Sequence, residues 1–290
     1  MNTKQITRGA MSVAIYGALL FLNQQTALAI ESLANWIFIF PVLILTAMDG
    51  IKSGFIAGIA MAFITLLFGG FTTWFYSWFS ILTGWVYGIG IHKQWKHTLN
   101  FAICFAITLV SMVMMALLWA GIFDMDMTQD YNQLVQLVPW LDLKAYVAFS
   151  LVLMSFLQAM CVHMVALLTC IKMKIKMRPL QSFRQIKSYP WIGYVSILIW
   201  VLFFFGRNML KFSEEVQTII QICWFIDCII LDFYGVLVIM EFGILRNFRK
   251  ISFIAVFGAF LPIVSFIWIL LGECECLFSL REKISMRMRV

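Results

Sequence analysis

The chain has 290 residues, 63% of them hydrophobic and only 12% charged, with a formal net charge of +7. Soluble domains carry about 25% charged residues, so this chain has too few charges to cover a globule in water. A mean hydropathy of +0.94, with 28 Phe and 11 Trp, excludes an ordinary soluble protein and leaves an all-α, polytopic helical membrane protein.

A helix needs about 20 mainly apolar residues to cross the hydrocarbon core. About nine stretches qualify in chain order: Gly9 to Ala29, Asn35 to Met48, Ser53 to Gly69, Trp74 to Ile91, Leu99 to Phe123, Ala145 to Ile171, Trp191 to Gly206, Thr218 to Leu245 and Ile251 to Leu271. The second is short and holds Pro41, and the ninth holds Pro262, which kinks it or makes it re-entrant. None alternates with period two, so a β-barrel is not indicated.

Basic loops stay cytoplasmic. With the N-terminus inside, Lys4, Arg8, Lys52, Lys93, Lys96, the run from Lys172 to Lys187, and Arg246 to Lys250 fall on the inner side, whereas Lys144, Arg207 and Lys211 fall outside. Asp124, Asp126, Asp130 and Asp142 lie in the longest outer loop. Arg281, Lys283, Arg287 and Arg289 do not fit nine full crossings, so either the ninth segment does not fully cross or the charge rule fails there. The net charge therefore reports topology, and nucleic acid is not an expected partner. The opening also resembles a signal peptide, with Lys4 and Arg8 before the apolar run and Ala27, Leu28 and Ala29 behind it. The apolar character resumes after Ala29, which favours a retained anchor.

Three segments follow: a six-span membrane domain over residues 1–175, a basic cytoplasmic linker over 176–189 marked by Pro179, and a three-span extension over 190–290. In the first, small residues recur at helix-packing spacing: Ala10, Ala14 and Ala18; Gly54 and Gly58; Gly84 and Gly88. Such spacing lets backbones approach closely, and internal packing is the leading reading. The cysteines inside the spans read as packing residues, and the Cys274-Glu275-Cys276 motif lacks the partners of a metal site.

The opening Thr7-Arg8-Gly9-Ala10-Met11-Ser12-Val13-Ala14-Ile15-Tyr16-Gly17-Ala18, the stretch Gly50-Ile51-Lys52-Ser53-Gly54, Gly84 to Gly90 before His92-Lys93, and the ending Leu270-Leu271-Gly272 through Glu273 to Ser279-Leu280-Arg281 resemble the uncharacterised bacterial membrane proteins typified by YybS. That family is in turn similar, over its first six spans, to the substrate-binding S components of energy-coupling-factor vitamin transporters. The resemblance implies a six-helix S-component-like core that binds a small molecule near the outer face. It also implies docking of the first helix, through Ala10 and Ala14, onto a coupling subunit that works with an ATPase. The three C-terminal spans depart from that pattern.

Ionisable residues inside a bilayer are costly and need a reason. On the eighth span, Gln217, Gln221, Cys228, Asp232 and Gly235 form one stripe, and Cys223, Asp227, Tyr234 and Glu241 another. Both stripes should turn away from lipid. Asp232 reads equally as a proton, cation or substrate contact and as hydrogen-bonded glue between helices; for Asp227 the second reading leads. On the fourth span, the face of Trp85 can border a pocket with flat apolar walls. On the sixth, Ser155, Gln158, Cys161 and Thr169 share a face, and His163 reads as a packing residue. Asn23, Gln24, Gln25 and Thr26 form either a cap on a pocket or, as the leading reading, a solvated turn. Pro139, Trp140 and Leu141 suggest an interfacial segment.

No metal-protease motif, nucleophile elbow or P-loop is present. The expectation is therefore no enzyme, no cofactor and no metal. It is a plasma-membrane protein of bacterial type that binds a small solute and helps move it with an energy-supplying partner, Trp85, Gln158, Asp227 and Asp232 being the candidate solute contacts. The alternative is a scaffold or regulatory subunit.

Overall fold

A computed structural model describes residues 2–123, 142–179, 186–206, 212–246, 248, 251, 254–255, 258–259 and 261–287. Asp124, Asp126, Asp130, Pro139, Trp140, Leu141, Arg184, Arg207, Lys211, Arg249, Lys250 and Arg289, which the sequence assigned to loops, linker and tail, lie outside the described residues. Among the described residues all regular structure is helical. The helices are α1 (Thr3–Gln25), α2 (Ala29–Ala34), α3 (Phe40–Asp49), α4 (Ile51–Phe68), α5 (Phe71–His92), α6 (His97–Phe123), α7 (Leu143–Lys172), α8 (Pro190–Gly206), α9 (Glu214–Leu245), α10 (Pro262–Phe278) and α11 (Leu280–Arg287), with a 3₁₀ turn over Asn35–Ile39.

Among the described residues, six helical segments are long and apolar enough to cross a membrane: Thr3–Gln25, Ala29–Asp49, Ile51–Phe68, His97–Leu118, Leu143–Lys172 and Glu214–Leu245. In α5, Trp, Tyr, Ser and Thr lower the apolarity, and α8 and α10 have 17 residues each. The second span reaches back to Ala29, further than Pro41 suggested. Pro41 sits in the first turn of α3, where its missing N–H has no intrahelical partner to lose, and the 3₁₀ turn carries the chain on to α2. Pro262 likewise opens α10, so the ninth stretch is not one continuous helix.

The chain forms two compact units, one of Met1–Met127 with Ser150–Leu180 and one of Thr128–Phe149 with Gln181–Val290. The first turns of α7 belong with the second unit. Asp142 accepts a hydrogen bond from Thr218 and donates its own N–H to Gln221 Oε1 at 3.1 Å, and Phe149 stacks on Phe225 at 4.3 Å.

In the first unit α3 is the central rod. One face packs Leu43 and Ala47, with Ile39 of the 3₁₀ turn, against Tyr87 and Ile91 of α5, Cys104 of α6 and Ala159, Val162 and Ala166 of α7. The other packs Val42 and Leu45 against Tyr16 and Leu20 of α1, Ala57 and Met61 of α4 and Ile81 of α5. Glycines permit this closeness. A Cβ on Gly88 would stand 2.7 Å from Leu43 O, and one on Gly84 would collide with Ile39 O, so the Gly84/Gly88 stripe seats α5 on α3. Gly50, between α3 and α4, has φ +91°, a conformation that glycine adopts without Cβ strain. Ser12 Oγ donates to Pro41 O at 2.6 Å and Arg8 pairs with Asp49 at 2.8 Å, fastening α1 to α3. Outside this core Met11, Ile15, Phe63, Leu67 and Phe68 are exposed, as a lipid-facing surface requires.

In the second unit α8, α9 and α10 meet around Leu231, Tyr234, Leu237, Ile269 and Cys276. The α9 and α10 backbones touch at Gly235 and Gly272: a Cβ on Gly272 would be 3.1 Å from Gly235 N and 2.7 Å from the carbonyl carbon of Leu231.

Candidate functional site

The first unit contains a crevice at the end of the bundle where α1 gives way to α2 and α5 begins. It is half-open and is lined by Tyr16 and Leu20 of α1, Glu31 of α2, Asn35 and Phe38 of the 3₁₀ turn, and Thr73, Tyr76, Ser77 and Ser80 of α5. Its interior has room for about one water-sized group, so it suits the polar end of a small solute. The break between α2 and α3 makes the site possible, because the 3₁₀ turn brings Asn35 and Phe38 into the wall.

Glu31 organises the polar side. Asn23, fully buried, donates from Nδ2 to Glu31 Oε2 at 3.1 Å and accepts the Glu31 backbone N–H at 2.9 Å. Thr73 Oγ1 donates to the same Oε2 at 2.6 Å. Residues from α1, α2 and α5 are thereby joined through one carboxylate oxygen. Deeper, Tyr16 and Thr65 hydroxyls lie 2.9 Å apart; since Thr65 spends its proton on Met61 O at 2.8 Å, Tyr16 is the donor. Of the turn residues 23–26, then, Asn23 is a buried strut while Gln24, Gln25 and Thr26 are exposed.

The residues singled out in the sequence lie elsewhere. Trp85 is half-buried against Phe55 and donates from Nε1 to Ile51 O at 3.1 Å; it does not line the crevice. Gln158 is half-buried on α7 beside Ala159 of the core and is likewise not in the crevice wall. Ala10 and Ala14 are both exposed on α1, in a row with Ala18. His163 is partnered: its Nδ1 is 2.7 Å from the Tyr87 hydroxyl and its ring packs edge-on against Phe101.

In the second unit Asp227 is 5% exposed, and its Oδ2 accepts from Ser196 Oγ at 2.8 Å and Trp200 Nε1 at 3.0 Å. Both oxygens of Glu273, on α10, are buried without a hydrogen-bond partner, as is Asp232 Oδ1. Asp232 is half-buried, and Cys223, expected on the inward stripe with Asp227, is exposed, so that stripe turns inward only from Asp227 onward. Glu275, 1% exposed, is fully served: Ser188 Oγ donates to it at 2.9 Å and Arg281 through both its backbone N and Nε at 2.8 Å, while Arg281 Nη2 donates to Ile186 O at 2.8 Å. Among the described residues no group of three His, Cys, Asp or Glu side chains is arranged to hold a metal ion.

Glu31 and Glu273 escaped the sequence reading. The signal for Glu31 was available: with Asp49 it is one of two acidic residues in positions 1–123, and it stands in an apolar context.

Residues 14–140, a stretch that contains the whole crevice, match the model of a family described as "Predicted membrane protein (DUF2232)". No curated protein and no solved structure matches the chain. That match and the several long apolar helices agree on a multi-pass helical membrane protein.

Proposed function

We propose that the protein binds a small solute in the crevice of its first unit and helps to carry it across the plasma membrane with a partner that supplies the energy. The observation that carries this reading is the crevice itself: a half-open, mainly apolar space with a carboxylate and hydroxyls in its wall, at one end of an apolar bundle and held by the Asn23–Glu31–Thr73 link. A bundle built only as a scaffold has no need to keep a carboxylate and several hydroxyls around a hollow, since each buried polar group costs stability unless hydrogen-bonded.

With the N-terminus cytoplasmic, as the basic loops favour, the crevice opens to the outside, where an incoming solute is met. The Arg281 hydrogen bond to Ile186, within the basic linker, supports the option in which the ninth segment does not fully cross. The exposed Ala10–Ala14 face is free to take a coupling subunit. Asp232, with a buried oxygen lacking a partner, stays as a candidate polar contact along the second unit; unchanged uptake in Asp232→Asn would remove that role. Purification of the full chain from its native membrane tests the main reading. Recovery of an ATPase and a transmembrane coupling subunit is expected, and recovery of the chain without either would leave the scaffold reading in its place.

A further inference from the structure

The chemistry of the crevice is one-sided. Among the described residues Glu31 is its one charged lining residue, and no Lys, Arg or His lines it. Both side-chain hydrogen bonds to Glu31 fall on Oε2. Among the described residues Oε1 accepts none, and it is not fully buried, so it has an acceptor to offer. No described Lys or Arg is ion-paired with Glu31. The crevice wall also carries Ser77, Ser80 and Asn35, whose hydroxyl and amide oxygens can accept N–H donors, and the rings of Tyr16, Phe38 and Tyr76.

An anion entering here would meet an uncompensated carboxylate and find no cation. A protonated amine, by contrast, finds a charge-assisted acceptor, neutral acceptors for its other protons and aromatic surface of the kind that attracts cations. The interior takes about one water-sized group, so the ammonium enters it and a short apolar body stays at the open mouth. We infer that the crevice is a site for a small organic cation, a protonated primary amine with a short apolar body, held by Glu31 Oε1. This rests on the crevice being the solute site, but it concerns binding and needs no partner.

The test uses the full chain in lipid nanodiscs and three probes of the same size: propylammonium chloride, sodium propionate and neutral propanol, each titrated calorimetrically. Propylammonium should bind at least about tenfold more tightly than propionate or propanol, the factor expected of a charge-assisted hydrogen bond. Glu31→Gln, whose amide oxygen still accepts from Asn23 and Thr73, should keep the thermal midpoint and lose that preference. Equal binding of the three probes by the wild-type chain, binding of none, or an unchanged preference in Glu31→Gln would overturn the inference; the wild-type comparison decides even if the variant fails to fold. Amine binding without any partner or uptake would overturn the transport reading alone, and uptake of a solute by a chain with no amine preference would overturn this inference alone.

Discussion

Replacing Gly272 with alanine probes the contact that joins α9 to α10. The added Cβ would stand 2.7 Å from the carbonyl carbon of Leu231 and 3.1 Å from Gly235 N, and closer still to Leu231 O, whereas ordinary contacts of a Cβ begin at 3.4 Å. The obstacles are backbone atoms, which cannot swing aside as a side chain does. The two helices must part by about 0.7 Å or more, and the dry packing of Leu231, Ile269 and Cys276 parts with them. Overpacking of this sort costs about 1–3 kcal/mol, and rigid neighbours put the cost in the upper part of that range. Gly9→Ala serves as the control: its Cβ meets nothing within 4 Å, and alanine is favoured over glycine in a helix by about 1 kcal/mol. Thermal unfolding in detergent, followed by tryptophan fluorescence, should show Gly272→Ala melting several degrees below wild type and Gly9→Ala at or above it. If Gly272→Ala is as stable as Gly9→Ala, the close α9–α10 approach is wrong.

Other predictions concern single groups. Asn23→Ala strips the partner from the Glu31 N–H and one donor from its carboxylate, and should lower stability by about 1–3 kcal/mol, against a change within about 0.5 kcal/mol for exposed Gln24→Ala; equal midpoints would refute the strut. Arg281→Met leaves the buried Glu275 carboxylate without its cation, a loss of about 3–5 kcal/mol, and adding Glu275→Gln should recover part of it; a double variant no better than the single would show that the pair is not coupled. Changing Ala10 and Ala14 to Leu should leave the thermal midpoint unaltered, because both side chains are exposed, yet release any coupling subunit from the purified complex. A complex that survives the change disproves docking on that face.

Much of the scaffold was readable because the bilayer imposes simple rules. Apolar runs located the helices, and small residues four apart at Gly84 and Gly88 marked a close helix contact, whose partner α3 only the structure supplies. The second span was read too short because Pro41 marks a helix start and gives no hint that a 3₁₀ turn continues the chain back to Ala29. The crevice was not readable, since the Thr73–Glu31 hydrogen bond joins residues 42 apart and no periodicity encodes that register. Asp227 stood out as a carboxylate within a span; its donors Ser196 and Trp200 lie on another helix and became visible only with α8 packed on α9. Trp85 looked like a pocket wall on helical geometry, but the backbone carbonyl of Ile51, where α4 begins, captures its indole N–H.

The central claim is that the crevice is where a solute meets the protein, and the most direct measurement is the small-molecule content of the purified chain, read by mass spectrometry. Asn35→Phe places a ring in the crevice from its half-exposed wall and is the comparison. A small nitrogenous solute should be recovered with the wild-type chain and be missing from an Asn35→Phe chain of unchanged thermal midpoint. The same solute recovered in equal amount from both chains would contradict the account.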